Sequence, residues 1–254
     1  QQRVIFIPHR ELFRIPFAAL QDNEGNYLIQ KHTILTAPSI QSLELARQHR
    51  TRIQTADATD ALVVGNPTLP TELAEAYEWP ALPGAEREAR KDRLLDARCI
   101  HLATHGTLAS SNEPVDIPAV QYSSIPGVLA LAASDHDDGS LTADELLEMT
   151  VNNPLNAELV VLSACQTGQG PITSDGVYGL SRTLLTAGVP TLVVSLWNAA
   201  DQQTVDLMDE FYRQFLDEGE DKAQALRQAM LHMIEQGDDN PQYWAAFTLV
   251  GQAE

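Results

Sequence analysis

The chain has 254 residues, 16 of them Lys or Arg and 35 Asp or Glu, giving a formal charge of −19 with neutral histidines. Binding nucleic acid or anionic lipid needs clustered cations, and an acidic chain with no basic stripe excludes that class of function. With 44% hydrophobic and 20% charged residues the composition is that of a folded globular protein, and the length suits one large domain.

In chain order, the first apolar run is VIFI at 4–7, and ALVVG at 61–65 follows, ending in the turn Gly65-Asn66-Pro67. Leu82-Pro83-Gly84 marks a second turn, and CIHLA at 99–103 is the next strand. The polar stretch 108–125, with two prolines, is expected as a long surface loop, and Asp137-Asp138-Gly139 as a turn. ELVVLSA at 158–164 and TLVVSLW at 191–197 complete the strands. Continuous Val/Ile/Leu runs predict strands buried on both faces, hence an α/β fold with a mostly parallel central sheet and helices on both sides. Apolar residues at three- and four-residue spacing predict helices over 202–216 and 222–235, with Asp201 as a cap for the first and Gly219 after it. No repeat or linker divides the chain, so residues 1–254 are expected to form one domain.

No apolar run reaches the roughly 18–20 residues of a membrane span, and no basic start leads into an apolar stretch. Two cysteines, Cys99 and Cys165, cannot build a disulfide framework, which fits a reducing compartment. A soluble cytoplasmic protein is expected, with no membrane or nucleic-acid partner. The chain opens on Gln1 and not Met, so it is expected to be the C-terminal part of a longer protein.

Two strand ends run into reactive side chains followed by glycine: CIHLATHG reaches His105-Gly106, and VVLSACQTG places Cys165 before Gly168. Parallel strands deliver such residues to one sheet edge, where ligands of open α/β sheets gather. An imidazole beside a thiol with a pKa of about 8.5 converts it to a thiolate nucleophile. The pair therefore predicts a Cys/His dyad, with the amides of Gly106 and Cys165 as oxyanion donors. Cys99 and His101, inside the strand, are expected to be structural, with His101 the second choice of histidine because i and i+4 share a strand face. No Walker loop, HExxH helix, paired CxxC or EF-hand run is present, so no cofactor and no metal is assigned. Asp135, Asp137 and Asp138 are read as an acidic surface turn in preference to a calcium site.

HLATHG, LVVLSACQTG and DGVYGLSRTLLTAGVPTLVVSLW, together with FIPHRELFRIPFAAL, VVGNP and LPGAEREAR, resemble a CHAT domain. This is a caspase-like module related to separase and often joined to tetratricopeptide repeats. The resemblance implies a caspase-like three-layer sandwich and a cysteine endopeptidase with His105 as general base and Cys165 as nucleophile. It also implies an acidic S1 pocket for Arg or Lys, for which Asp201 and Asp175 are the candidates and Trp197 a candidate wall. Each has a plainer role available: Asp201 and Asp175 at helix starts, Trp197 in the core. The partners implied are a specific protein substrate and an upstream regulatory domain such as tetratricopeptide repeats, in a prokaryotic defence or cell-death pathway. The alternative is a catalytically silent caspase-like interaction module. An acyl-transfer enzyme would need a channel for a carrier arm, which no motif proposes. One departure stands out: the family has a further segment of about twenty residues before the histidine strand, whereas here Arg90 is followed almost at once by KDRLLDARCIHLATHG.

Overall fold

The computed structural model describes residues 2–54, 60–65, 94–103, 106–107, 128–131, 139–163, 174–197, 201–238 and 240–254. Its strands are β1 (Arg3–Phe6), β2 (Thr33–Thr36), β3 (Asp60–Gly65), β4 (Ala97–Ala103), β5 (Gly106–Thr107), β6 (Val128–Ala130), β7 (Ser140–Thr142), β8 (Leu159–Leu162), β9 (Thr191–Ser195) and β10 (Phe247–Gly251). Among the described residues, seven of them form one sheet in the order β1-β2-β10-β9-β8-β4-β3, and β5-β6-β7 form a small antiparallel sheet. Every junction of the large sheet is parallel except β9/β10. Two parallel blocks, β3-β4-β8-β9 and β10-β2-β1, therefore run in opposite directions and meet near the middle.

Alternation along the strands divides the core in two. Ile100, Leu102, Val160, Leu162, Leu192 and Val194 face one layer, while Leu159, Val161 and Val193 face the other. On the first side lie α1 (Ile40–Ile53), α2 (Ala143–Thr150) and α3 (Ser174–Thr186), contributing Ala46, Leu146, Leu180 and Leu184. On the second lie α4 (Asp201–Tyr212) and α5 (Lys222–Glu235), contributing Leu207, Phe211, Leu226, Met230 and Met233. β8 and β9 are buried at every residue, which is why their sequences read as unbroken apolar runs.

The helices begin where side chains can take up free backbone donors. Ser39 accepts from the Ser42 amide, Thr142 and Glu145 form a reciprocal capping box, and Asp221 accepts from the amides of Ala223 and Gln224. The helix predicted over 202–216 is shorter as an α-helix: it ends at Tyr212 and passes into a π-helical turn over Arg213–Asp217. Two arginines, Arg227 buried and Arg52 half-buried, tie the layers together. Arg227 on α5 donates to the carbonyls of Ile29 (2.8 Å) and Gln30 (2.7 Å), and Arg52 on α1 donates to Asn156 Oδ1 (2.9 Å) and Gly188 O (3.2 Å). The expected 108–125 loop and the turns at 65–67 and 82–84 lie wholly or mostly outside the described residues.

Candidate active site at the ends of β4 and β8

β4 and β8 are parallel neighbours with Ile100 opposite Val160, His101 opposite Val161 and Leu102 opposite Leu162. Beyond the ladder the Ser163 amide donates to Leu102 O at 3.1 Å, so the two strands leave the sheet side by side at the same edge. His105 stands three residues after Leu102, and Cys165 three after Leu162. Both residues lie outside the described ones. Gly106 opens β5 and pairs with Leu129 of β6.

Odd-numbered residues of both strands look toward α4. Cys99 packs against that layer with Leu159 and Val161, and His101 and Ser163 share the same face, each two residues farther along its strand. His101 Nε2 lies 2.9 Å from Ser163 Oγ, and His101 Nδ1 lies 2.9 Å from the hydroxyl of Tyr212, the last α-helical residue of α4. Ser163 Oγ is 3.4 Å from Leu102 O, where the hydroxyl can only donate. That assigns its lone pairs to His101 Nε2–H and leaves Nδ1 to accept from Tyr212. Cys99 lies beside the same phenol.

Desolvation dominates the electrostatics here. Burial lowers the His101 pKa to about 4, so the ring is neutral at physiological pH. Burial, then the charge of Glu158, pushes the Cys99 thiol up to about 11, and burial with Cys99 beside it raises the Tyr212 phenol. These are the values of inert, satisfied groups, and Cys99 and His101 hold the structural positions expected of them inside β4.

Asp175 is the second residue of α3 and Asp201 the first of α4. Their carboxylates lie outside what is described, so the substrate-pocket expectation is carried by their backbone positions alone. Trp197 follows β9, packs on the α4/α5 side of the core and donates its Nε1–H to Gln242 O at 3.1 Å. That bond ties the indole to the one-turn helix Pro241–Trp244. The sequence alone singles out neither Tyr212 nor Ser163, which appears there only inside the run VVLSACQTG. The available signal was chemical: a His and a Cys inside an apolar strand, and a phenol beside Phe211 on an inward helix face, each need a polar partner.

Among the described residues no three His, Cys, Asp or Glu side chains gather as a metal-binding group, and no helix is long and apolar enough to cross a membrane. The acidic residues Asp135, Asp137 and Asp138 fall outside the described residues.

The sequence matches the family model described as "CHAT domain" over residues 1–92 and 89–252. The two matched stretches overlap at 89–92. Tetratricopeptide repeat protein 28 of Mus musculus is 28% identical over 299 aligned residues, and that of Homo sapiens 29%. These alignments cover 98% of this chain and 12% of the relatives, so the chain spans about an eighth of their length. Among solved structures, a chain of the Saccharomyces cerevisiae separase–securin complex at 2.6 Å resolution superposes with a TM-score of 0.51 at 14% identity, covering 94% of this chain and 15% of that one. A second structure of the complex at 3.0 Å gives 0.50 at 14% identity, covering 94% and 14%. At that identity the likeness is one of fold: a caspase-like α/β architecture around a mostly parallel sheet.

Proposed function

This chain belongs to the CHAT domain family, and on that premise we propose that it is a cysteine endopeptidase acting through Cys165 and His105. The observation that carries the proposal is the register of β4 on β8: two adjacent parallel strands, paired at Leu102 and Leu162, each three residues short of one member of the dyad. Neighbouring parallel strands ending together are the device by which an open α/β sheet assembles a nucleophile and its base.

In this mechanism His105 takes the thiol proton and Cys165 Sγ attacks the scissile carbonyl carbon. The amide hydrogens of Gly106 and Cys165 stabilise the oxyanion. Collapse expels the amine, which leaves with the proton from His105, and a thioester remains on Cys165. Water, deprotonated by His105, attacks the thioester and releases the carboxylate product and the thiol. Asp201 or Asp175, with Trp197 as a wall, selects Arg or Lys at P1. The resemblance extends the proposal to release by an upstream tetratricopeptide-repeat segment, in a cytoplasmic defence or cell-death pathway. The names of the two relatives support the repeat association.

The test is cleavage-site profiling of the protein and its Cys165→Ala variant on a diverse peptide mixture, with the new termini sequenced. Cleavage by the unsubstituted protein alone, after Arg or Lys, is expected. Equal hydrolysis by the variant refutes the nucleophile, and cleavage by neither favours the non-catalytic interaction module.

A further inference from the structure

Beneath the strand ends, a histidine of β4, a serine just past β8 and a tyrosine at the end of α4 meet in the layer between sheet and helix. We infer that His101, Ser163 and Tyr212 form a half-buried clamp that sets the spacing of the β4 and β8 ends, and so are positioning residues for His105 and Cys165. The inference rests on the peptidase proposal.

Three observations carry it. First, the clamp joins the two strands where their ladder stops: the Ser163 amide and hydroxyl both reach Leu102 O, at 3.1 and 3.4 Å, while Ser163 Oγ also holds His101 of β4 at 2.9 Å. β8 is thus tied to β4 through backbone and side chain two residues before Cys165. Second, the hydrogen bonds form one directed series that starts at the phenol and ends at the Leu102 carbonyl, with the imidazole and the Ser163 hydroxyl each accepting once and donating once. Tyr212 O–H donates to His101 Nδ1, His101 Nε2–H donates to Ser163 Oγ, and Ser163 O–H donates to Leu102 O. Such a series has one satisfied arrangement and resists small shifts of either strand, whereas Val or Leu side chains would let the strands slide by tenths of an ångström.

Third, the helix end that supplies the phenol is itself held. The Tyr212 ring lies 5.1 Å from Phe211 at 61° and 5.7 Å from the His101 ring at 32°, and Phe211 is wholly buried. The π-helical turn begins at the next residue, Arg213, so the local change of helix geometry falls at the point where the clamp is anchored. A Cys/His pair tolerates little misplacement, because rate depends steeply on the distance and angle between base and nucleophile. Rigid support directly below the two strand ends meets that requirement.

The test uses the whole protein with Ser163→Ala, Ser163→Thr and Tyr212→Phe. Each is read by thermal unfolding, by kcat and KM on a cleaved peptide, and by the pH profile of Cys165 alkylation with iodoacetamide. Tyr212→Phe removes one oxygen and keeps the ring, so it remains folded even if Ser163→Ala does not. We expect Ser163→Ala and Tyr212→Phe to lower kcat by about tenfold or more with KM within about twofold, as for a group that acts only on transition-state geometry. The Cys165 alkylation profile is expected to move toward that of an unassisted thiol near about 8.5, and Ser163→Thr, which keeps the hydroxyl, to restore both readouts. Folded Ser163→Ala and Tyr212→Phe proteins with unchanged kcat and alkylation profiles would overturn the clamp while leaving the peptidase proposal standing. An unsubstituted protein whose Cys165 neither cleaves nor alkylates differently from an unassisted thiol overturns the peptidase proposal, and the clamp with it.

Discussion

The partly buried imidazole of His101 makes stability fall as pH drops from neutral toward 5. Burial lowers its pKa from 6.5 to about 4, so between these values the unfolded chain binds a proton that the folded chain refuses. At pH 7.5 the ring is neutral in both states and contributes almost nothing. Below pH 4 both states are protonated and the loss saturates at about 3 kcal/mol, from about 1.4 kcal/mol for each tenfold change in proton affinity. At pH 5 the loss is about 2 kcal/mol, a large part of the roughly 5–15 kcal/mol that holds a domain together. Urea unfolding midpoints between pH 7.5 and 5 measure it, with His101→Gln as the comparison because the amide can donate and accept but cannot titrate. His49, lowered by burial and then by the charge of Arg52, acts in the same direction but is present in both proteins and cancels. The stability difference between wild type and variant is expected to change by about 2 kcal/mol across this range. Parallel pH profiles for the two proteins would show that the ring is not desolvated as the structure places it.

Three further outcomes follow from particular contacts. With a thiol pKa of about 11, Cys99 is ionised about one part in a thousand at pH 8, so peptide mapping after iodoacetamide treatment should find it modified only once the chain is unfolded. Gly251→Ala should destabilise by about 2 kcal/mol or more in thermal or denaturant unfolding. Its φ is +103°, and a Cβ there would stand 2.3 Å from the Pro190 carbonyl oxygen, which the backbone cannot easily withdraw. Arg227→Met keeps much of the stem's packing but strands the carbonyls of Ile29 and Gln30. A loss of about 2 kcal/mol is expected in urea unfolding, accompanied by earlier proteolysis around residues 28–31.

Much of the architecture is legible in the chain itself, for a local reason. β8 and β9 are covered on both sides, so burial demands unbroken apolar residues and the runs at 158–164 and 191–197 announce them. The helix over Lys222–Glu235 is equally plain, because one stripe faces the sheet and Asp221 caps it. The His-Gly and Ser-Ala-Cys motifs are also contiguous, which is why the resemblance to the CHAT family can be drawn from the residues alone. Less legible is β2, a four-residue strand with threonine at both ends whose side-chain partners, Gln224 and Thr248, lie far along the chain.

Only the tertiary structure decides who stands next to whom. β10, the last strand in sequence, inserts between β2 and β9 and reverses the sheet direction there, a choice that no periodicity encodes because it depends on which uncovered edges remain when the other layers have packed. The same holds for the clamp. His101, Ser163 and Tyr212 are separated by 62 and 111 residues along their two hydrogen bonds, and each alone reads as an ordinary core histidine, loop serine or helix tyrosine. The sequence by itself determined the apolar strands, the two C-terminal helices, the family and the two motifs, since these rest on local burial patterns and contiguous residues. Tertiary packing determined the register that brings the two strand ends together and the polar contacts beneath them, since these arise only when distant segments bury the same face.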